Sequence, residues 1–353
     1  MIDIIYALIS ILIIWLIFDI LYYNNKEWFT RRGFNLHYGF ILVYRRESHI
    51  KGSTHYRRFS YLNIVFFVLA LITFYSAMIS SIFAKIGLIE GGARVQLLIP
   101  GINITGEQII YFIVAVAIAA FIHEFLHAYT AVSHNLKVKS LGFTILFVVP
   151  IAFTEVDEEE FSKAPLKARI TTLAAGPASN YMLALLAMFL VMITISSYGI
   201  VVLEVLPGSL AEKHGIRPGD ILLKINGEPL TRELLAKYLA KDNETVFTVE
   251  VWSQNSVRNV TIHKPRNVSR LGIAFSNKPN DLLINILGIR GALIVSYMII
   301  WLYIVNLGLA IINAAPIFIS DGGKVLYEIF KNKNIGHIIN TLSLAILILA
   351  VTL

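Results

Sequence analysis

The chain has 353 residues, 56% of them hydrophobic and 15% charged, with a mean hydropathy of +0.69; these values exclude an ordinary soluble domain and point to a polytopic membrane protein. It contains no cysteine, which excludes disulfides, thiolate metal ligands and a cysteine nucleophile. The net charge of +7 gathers in loops, where it reads as a membrane-orientation signal and not as a nucleic-acid-binding surface.

Uncharged runs predict about six spans, at 4–22, 61–84, 107–130, 170–203, 284–320 and 337–353, each long enough for roughly 30 Å of hydrocarbon. The first has Asp3 ahead of it, no basic n-region and no small-residue cleavage site, so a retained span is expected. The fourth and fifth are too long for one simple helix, and Gly176-Pro177 and Pro316 are expected to interrupt them. The run Leu141–Thr154 is short, β-branched and contains Pro150. A buried re-entrant strand or hairpin fits it, because irregular backbone survives at membrane depth only under a cover of protein. Trp15, Tyr22, Tyr23, Trp28 and Tyr61 lie near span ends and read as interfacial anchors.

The segment 24–60 carries eight Lys/Arg against two acids, Glu27 and Glu47, so it is expected on the cytoplasmic side of a cell membrane. Alternation then puts the N-terminus, 85–106 and 204–282 outside, and 131–169 and 322–336 inside. Four N-x-[ST] sequons, at Asn103, Asn243, Asn259 and Asn267, all fall in segments assigned outside.

Charge returns over 200–276, with alternating strand patterns at 245–252 and 257–263 and dense turn chemistry such as Arg217-Pro218-Gly219-Asp220. This predicts a small α+β domain inserted between two spans. Its Leu206–Leu230 string resembles PDZ domains of the circularly permuted bacterial kind, and the resemblance implies a carboxylate-binding loop at Leu271-Gly272-Ile273 that takes a peptide C-terminus. A spacer or steric filter is the alternative role. The expected division is 1–60 for the first span and basic loop, 61–199 for the first half of the membrane core, 200–276 for the inserted domain and 277–353 for the second half of the core.

The chemistry starts from His-Glu-Phe-Leu-His at 123–127, near the end of the third run. Ionisable groups at membrane depth are costly and mark function. On a helix His123 and His127 share a face, so both imidazoles can reach one ion, while the adjacent Glu124 can take a proton from a metal-activated water. A catalytic zinc wants a third protein ligand, and Asp321 is the candidate: it ends about thirty uncharged residues and follows Pro316, with Gly322 and Gly323 expected to allow a tight turn. The competing reading makes Asp321 an interfacial helix cap. Depth agrees with the ligand reading, since His123 falls about 24 Å into its span at the helical rise and Asp321 also comes near the inner end of its own.

Together, HExxH, Gly176-Pro-Ala-Ser-Asn180 and Asn313-Ala-Ala-Pro-Ile-Phe-Ile-Ser-Asp321-Gly322 resemble the site-2 protease family of intramembrane zinc metalloproteases over about residues 107–345. The resemblance implies a polytopic α-helical membrane protein with an inserted PDZ domain. It also implies zinc held by His123, His127 and Asp321, Glu124 as general acid/base, and Asn180 and Asn313 holding substrate or the developing oxyanion. The implied substrates are single-span membrane proteins already shortened by another protease, and the loop alternation and span depth put the site in the cytoplasmic half of the bilayer. Since a spanning helix hides its carbonyls, the substrate must unwind, and Leu141–Thr154 is expected to hold it by edge pairing. Two departures from the family pattern are Ile122 before His123 and Ser320, usually leucine, before Asp321. The alternatives are a cytosol-facing zincin with a glutamate from Glu158–Glu160 as third ligand, and a non-catalytic PDZ-bearing membrane scaffold.

Overall fold

The structure is a computed structural model that describes residues 2–92, 95–147, 149–253, 256–330 and 332–353, with side chains from Ile9 onward. In chain order the elements are α1 (Ile2–Asn24), α2 (Lys26–Arg31), β1 (Phe34–His37), β2 (Ile41–Glu47), α3 (Thr54–Phe59), α4 (Tyr61–Lys85), α5 (Gln108–Ser133), β3 (Val138–Leu146), β4 (Val149–Val156), α6 (Glu158–Lys163) and α7 (Leu166–Thr194). There follow β5 (Ile195–Val205), α8 (Leu210–Lys213), β6 (Ile221–Ile225), β7 (Glu228–Pro229), α9 (Arg232–Leu239), β8 (Thr245–Ser253), β9 (Ser256–Lys264), β10 (Ile273–Pro279), α10 (Asp281–Ala314), α11 (Asp321–Ile329) and α12 (Lys333–Thr352).

Among the described residues, five helices are long and apolar enough to cross a membrane: α4, α5, α7, α10 and α12. α1 is helical for 23 residues, and its described apolar part, Ile9–Asn24, is shorter. The two long runs differ from expectation. α7 continues through Pro177 without a break, because a membrane helix tolerates the one missing amide where neighbouring helices shield the freed carbonyl. The end of the 170–203 run is not helix at all, since β-branched Ile195, Ile200, Val201 and Val202 enter β5. α10 kinks at Gly288, where φ is +68°, and ends at Ala314, just before Pro316.

The chain forms two compact units, one of residues 1–187 with 300–353 and one of 188–299. In the first, alanines at the helix contacts bring backbones close. Phe67, Ala70, Ala174, Ala310, Ala314 and Val325 form one buried cluster, and Ala115, Ala119, Ala128 and Ala131 line the buried face of α5. Behind that face Asn63 donates its amide to Thr130 Oγ1 at 3.3 Å and to the Thr171 carbonyl at 3.4 Å, a polar lock between α4, α5 and α7.

Leu141–Thr154 lies in a hairpin, β3–β4, as its β-branched composition predicts. What the sequence did not announce is its company. The basic segment 24–60 folds into β1 and β2, and the four strands form one antiparallel sheet in the order β1-β2-β3-β4. β4 is an edge strand of this sheet, and Thr154 ties it to α5 by donating to the Glu124 carbonyl at 2.7 Å.

The second unit is a sheet ordered β10-β5-β6-β8-β9, with β7 beside β6. Its core includes Val202, Leu222, Ile225, Phe247, Val249, Val251 and Ile262, the inward positions of alternating strands, closed by Leu235 of α9.

Candidate metal centre

α5 supplies two imidazoles one turn apart, and the start of α11 supplies a carboxylate. His123 Nε2 and His127 Nε2 are 3.1 Å from each other, and each is 3.1 Å from Asp321 Oδ2. All three residues are buried, and they are the group among the described residues able to hold a metal ion. The triangle suits zinc: two neutral imidazole nitrogens and one carboxylate oxygen converging at 3.1 Å are the donor set and spacing that would hold such an ion, with a water as the remaining ligand of a catalytic site. Three such atoms converging without an ion would crowd two nitrogen lone pairs against a carboxylate oxygen.

The far ring nitrogens set the tautomers. His127 Nδ1–H donates to the Thr172 carbonyl at 2.7 Å, which turns the Nε2 lone pair toward the centre. His123 Nδ1 lies 3.1 Å from the Asn180 amide nitrogen, while the buried Asn180 Oδ1 has no partner. The two ends of an amide have the same shape, so half a turn lets Oδ1 accept from His123 Nδ1–H and completes both requirements. Asn180→Ala should therefore lower zinc affinity about 10- to 100-fold, read by competition against a chelating indicator; an unchanged affinity would remove Asn180 from the centre.

Asp321 reaches the rings because of Ser320. That hydroxyl caps α11, accepting from Gly323 N at 3.0 Å and donating to the Ile317 carbonyl at 2.8 Å. Asp321 is thus the first helical residue and not the cap, and its carboxylate is free for the histidines. Gly322 and Gly323 have a different purpose from the tight turn expected of them. A Cβ on Gly322 would stand 2.2 Å from the Ala314 carbonyl oxygen and one on Gly323 2.1 Å from that of Ile317, so both permit close backbone approach.

Glu124, His127, Asp321, Thr172, Phe153 and Lys324 line a cavity of about 340 Å³ with an opening. Glu158 lines it too, but Glu159 pairs with Lys163, and Glu160 accepts from Lys137 N at 2.7 Å. Lys324 Nζ lies 3.3 Å from Asp321 Oδ1, the oxygen turned away from the rings. Asn313, expected to hold substrate, donates its amide to the Leu309 carbonyl of its own helix at 3.0 Å. In the second unit Leu271 is buried and its carbonyl accepts from Ala211 N at 2.9 Å, with Gly272 at φ +81° and Ile273 opening β10.

Sequence reasoning missed Gly176. A Cβ there would lie 2.3 Å from His127 Nε2 and 2.4 Å from His123 Nε2, so the helix backbone abuts both imidazole nitrogens. Its place in Gly176-Pro177-x-x-Asn180 was the available signal. Near the ends of these elements, burial together with Arg57 and Lys167 holds His134 below the usual imidazole pKa. Backbone amides of α6 and Lys139 hold Asp157 below the usual carboxylate range.

Comparison with known proteins places this geometry. The chain is 26% identical over 324 residues, 89% of its own length and 84% of the relative's, to "Uncharacterized protein MJ0971" of Methanocaldococcus jannaschii. It is 40% identical over 95 residues to "Putative zinc metalloprotease R01501" of Rhizobium meliloti, covering 26% of this chain and 25% of that protein. It is 39% identical over 97 residues, 26% of each protein, to "Putative zinc metalloprotease Atu1380" of Agrobacterium fabrum. The model of Peptidase family M50 matches residues 111–350, a stretch that contains both histidines, Glu124, Gly176, Asn180 and Asp321. With about two thirds of its length matched and a buried site able to bind metal inside the match, the chain is a membrane metalloprotease belonging to Peptidase family M50.

Proposed function

We propose that this protein is a zinc endopeptidase of the site-2 type, hydrolysing peptide bonds of single-span membrane proteins within the bilayer. The observation that carries it is the 3.1 Å triangle of His123, His127 and Asp321, built from two apolar stretches and buried. When bound, zinc supplies Lewis acidity to the attacking water and the carbonyl under attack. Glu124, on the same cavity wall, accepts the water's proton and later returns it to the leaving amine. Asn180 and the Thr172 carbonyl keep the two imidazoles aimed, so no reorganisation is needed when charge develops. Lys324 faces the outer carboxylate oxygen of Asp321 and steadies its charge.

An unwound substrate needs partners for its backbone, and β4 offers a free edge beside Glu124. A proline scan over Ile151–Phe153 is expected to show cleavage falling about tenfold at the position whose N–H faces outward, with zinc retained, as for the loss of one productive hydrogen bond. Equal cleavage at every position would remove the edge-pairing step. The second unit is read as a PDZ-like domain. β10 is likewise an edge strand and packs with Ile273 and Phe275 near α9 in the same core, a frame in which a peptide end can add as a strand. By alternation from the basic segment 24–60, the centre belongs to the cytoplasmic half of a cell membrane and the PDZ-like unit to the outside.

The test is zinc content paired with cleavage of a model single-span substrate by wild type, Asp321→Ala and Glu158→Ala. Asp321→Ala is expected to lose zinc and activity together, whereas Glu158→Ala keeps both. The reverse result would make the protein a zincin with a glutamate ligand.

A further inference from the structure

One face of the β1–β4 sheet carries Phe34, Tyr44, Phe143 and Ala152 side by side, by the strand register, and the ring centroids are 4.7 Å apart for Phe34–Tyr44 and 5.2 Å for Tyr44–Phe143. Between this face and α5 runs a cleft of about 470 Å³, walled by Phe121, Phe125 and Phe143 and reaching Glu124. Its size lies within the roughly 300–1,000 Å³ of small-molecule sites. At its mouth Tyr44, Arg46, Glu47 and His49 also line a second, polar basin of about 770 Å³, which adds Arg31 and Arg32. The two spaces adjoin at these four shared residues, the first mostly apolar and the second rich in arginine.

The guanidiniums of that basin are available. Arg46 makes no ion pair among the described residues, Arg31 holds only the exposed Glu27, and Arg32 lies over the Trp28 ring at 4.0 Å. Arg45 also lines the basin but is already committed to Glu155 and Ser140. Exposed i,i+4 pairs such as Arg31–Glu27 exchange cheaply for a better anion. The basin also follows the apolar α1 within a few residues, and exposed Trp28 marks headgroup level.

We propose that this cleft and basin bind one anionic phospholipid, with the headgroup phosphate forked by Arg31, Arg32 and Arg46 and an acyl chain laid between the sheet and α5. Arginine forks match phosphate geometry bidentately, and basic clusters beside a span attract anionic lipid. An acyl chain suits the cleft better than an unwound substrate does. Most sheet residues lining the cleft, such as Tyr44, Leu141, Phe143 and Ile145, belong to the inner strands β2 and β3, whose backbone groups are already paired, while the edge strand β4 reaches it only at Pro150, Ala152 and Phe153. A peptide's N–H and C=O groups would find few partners there. The proposal does not depend on the peptidase chemistry.

The full-length protein would be placed in nanodiscs of equal phosphatidylglycerol and phosphatidylcholine, and lipid retained after gentle detergent release counted by native mass spectrometry. One phosphatidylglycerol per chain, preferred about tenfold over phosphatidylcholine, is expected for wild type. Arg32→Gln with Arg46→Gln should remove the preference. Ala120→Trp, which fills the cleft, should reduce retention while leaving the basin intact. Zinc content and thermal unfolding of each variant confirm that it is folded. Displacement of the lipid by millimolar inorganic phosphate would make this a free-anion site and overturn the proposal. So would equal retention of the two lipids by wild type, a preference that survives the arginine variants, or displacement by an uncharged transmembrane peptide.

Discussion

Glu124→Gln is expected to abolish cleavage of a model membrane substrate while one zinc stays bound per chain. Glu124 neighbours His123 on α5 yet stands outside the ligand triangle, which closes on His123, His127 and Asp321 without it. Its side chain lines the same cavity as His127 and Asp321, within the space a substrate carbonyl and a water must share. Glutamine keeps the shape and removes the basicity, so affinity for metal should hold while the rate falls about 10²- to 10⁴-fold, the usual worth of a positioned general base. Metal analysis and a single-turnover cleavage assay on the same preparation read both quantities. Cleavage that survived would mean a different base, and no cleavage by the wild type either would leave the non-catalytic scaffold. Loss of zinc would make Glu124 a ligand and the triangle incidental.

Gly176→Ala is expected to expel the metal, although alanine is the better helix former. Its methyl would stand 2.3 Å from His127 Nε2 and 2.4 Å from His123 Nε2, which is bonding distance for a metal and far inside van der Waals contact. The methyl takes the ion's place or pushes both rings away from it. α7 cannot easily retreat, because Ala174, Ala175 and Ala178 are packed with 1% exposure or less. Zinc affinity should drop by at least about 100-fold, beyond the range for a lost supporting hydrogen bond. Helix propensity favours alanine over glycine by about 1 kcal/mol and offsets part of the cost of displacing the two rings, so the metal-free protein should melt only slightly earlier. Unfolding of the apo protein at markedly lower temperature would mean a packing defect, and retained zinc would mean that α7 shifts freely.

These two residues show different degrees of legibility. Glu124 could be singled out from the chain alone, because its neighbours at positions 123 and 127 lie about one helical turn apart and the helix fixes which face they share. Gly176 could be noticed but not understood, since nothing local to Gly176-Pro177 says that two imidazoles lie against it. Ser320 is similar: the substitution was visible, while its hydroxyl's hold on α11, which turns Asp321 inward, appears only once the chain has doubled back.

The sequence by itself determined the membrane character, the single helix that carries His123, Glu124 and His127, the strand nature of Leu141–Thr154 and the α+β character of the inserted segment. Each depends on hydropathy or on spacings of a few residues, which backbone geometry converts directly into faces and spans. The tertiary structure decided which carboxylate joins His123 from 198 residues away, and which carbonyl and amide aim the two rings. It also decided that the basic segment after α1 would become β1 and β2 beside the β3–β4 hairpin, and that α7 would run straight through Pro177. Such outcomes rest on contacts between distant segments, where packing and the pairing of buried polar groups override local preference.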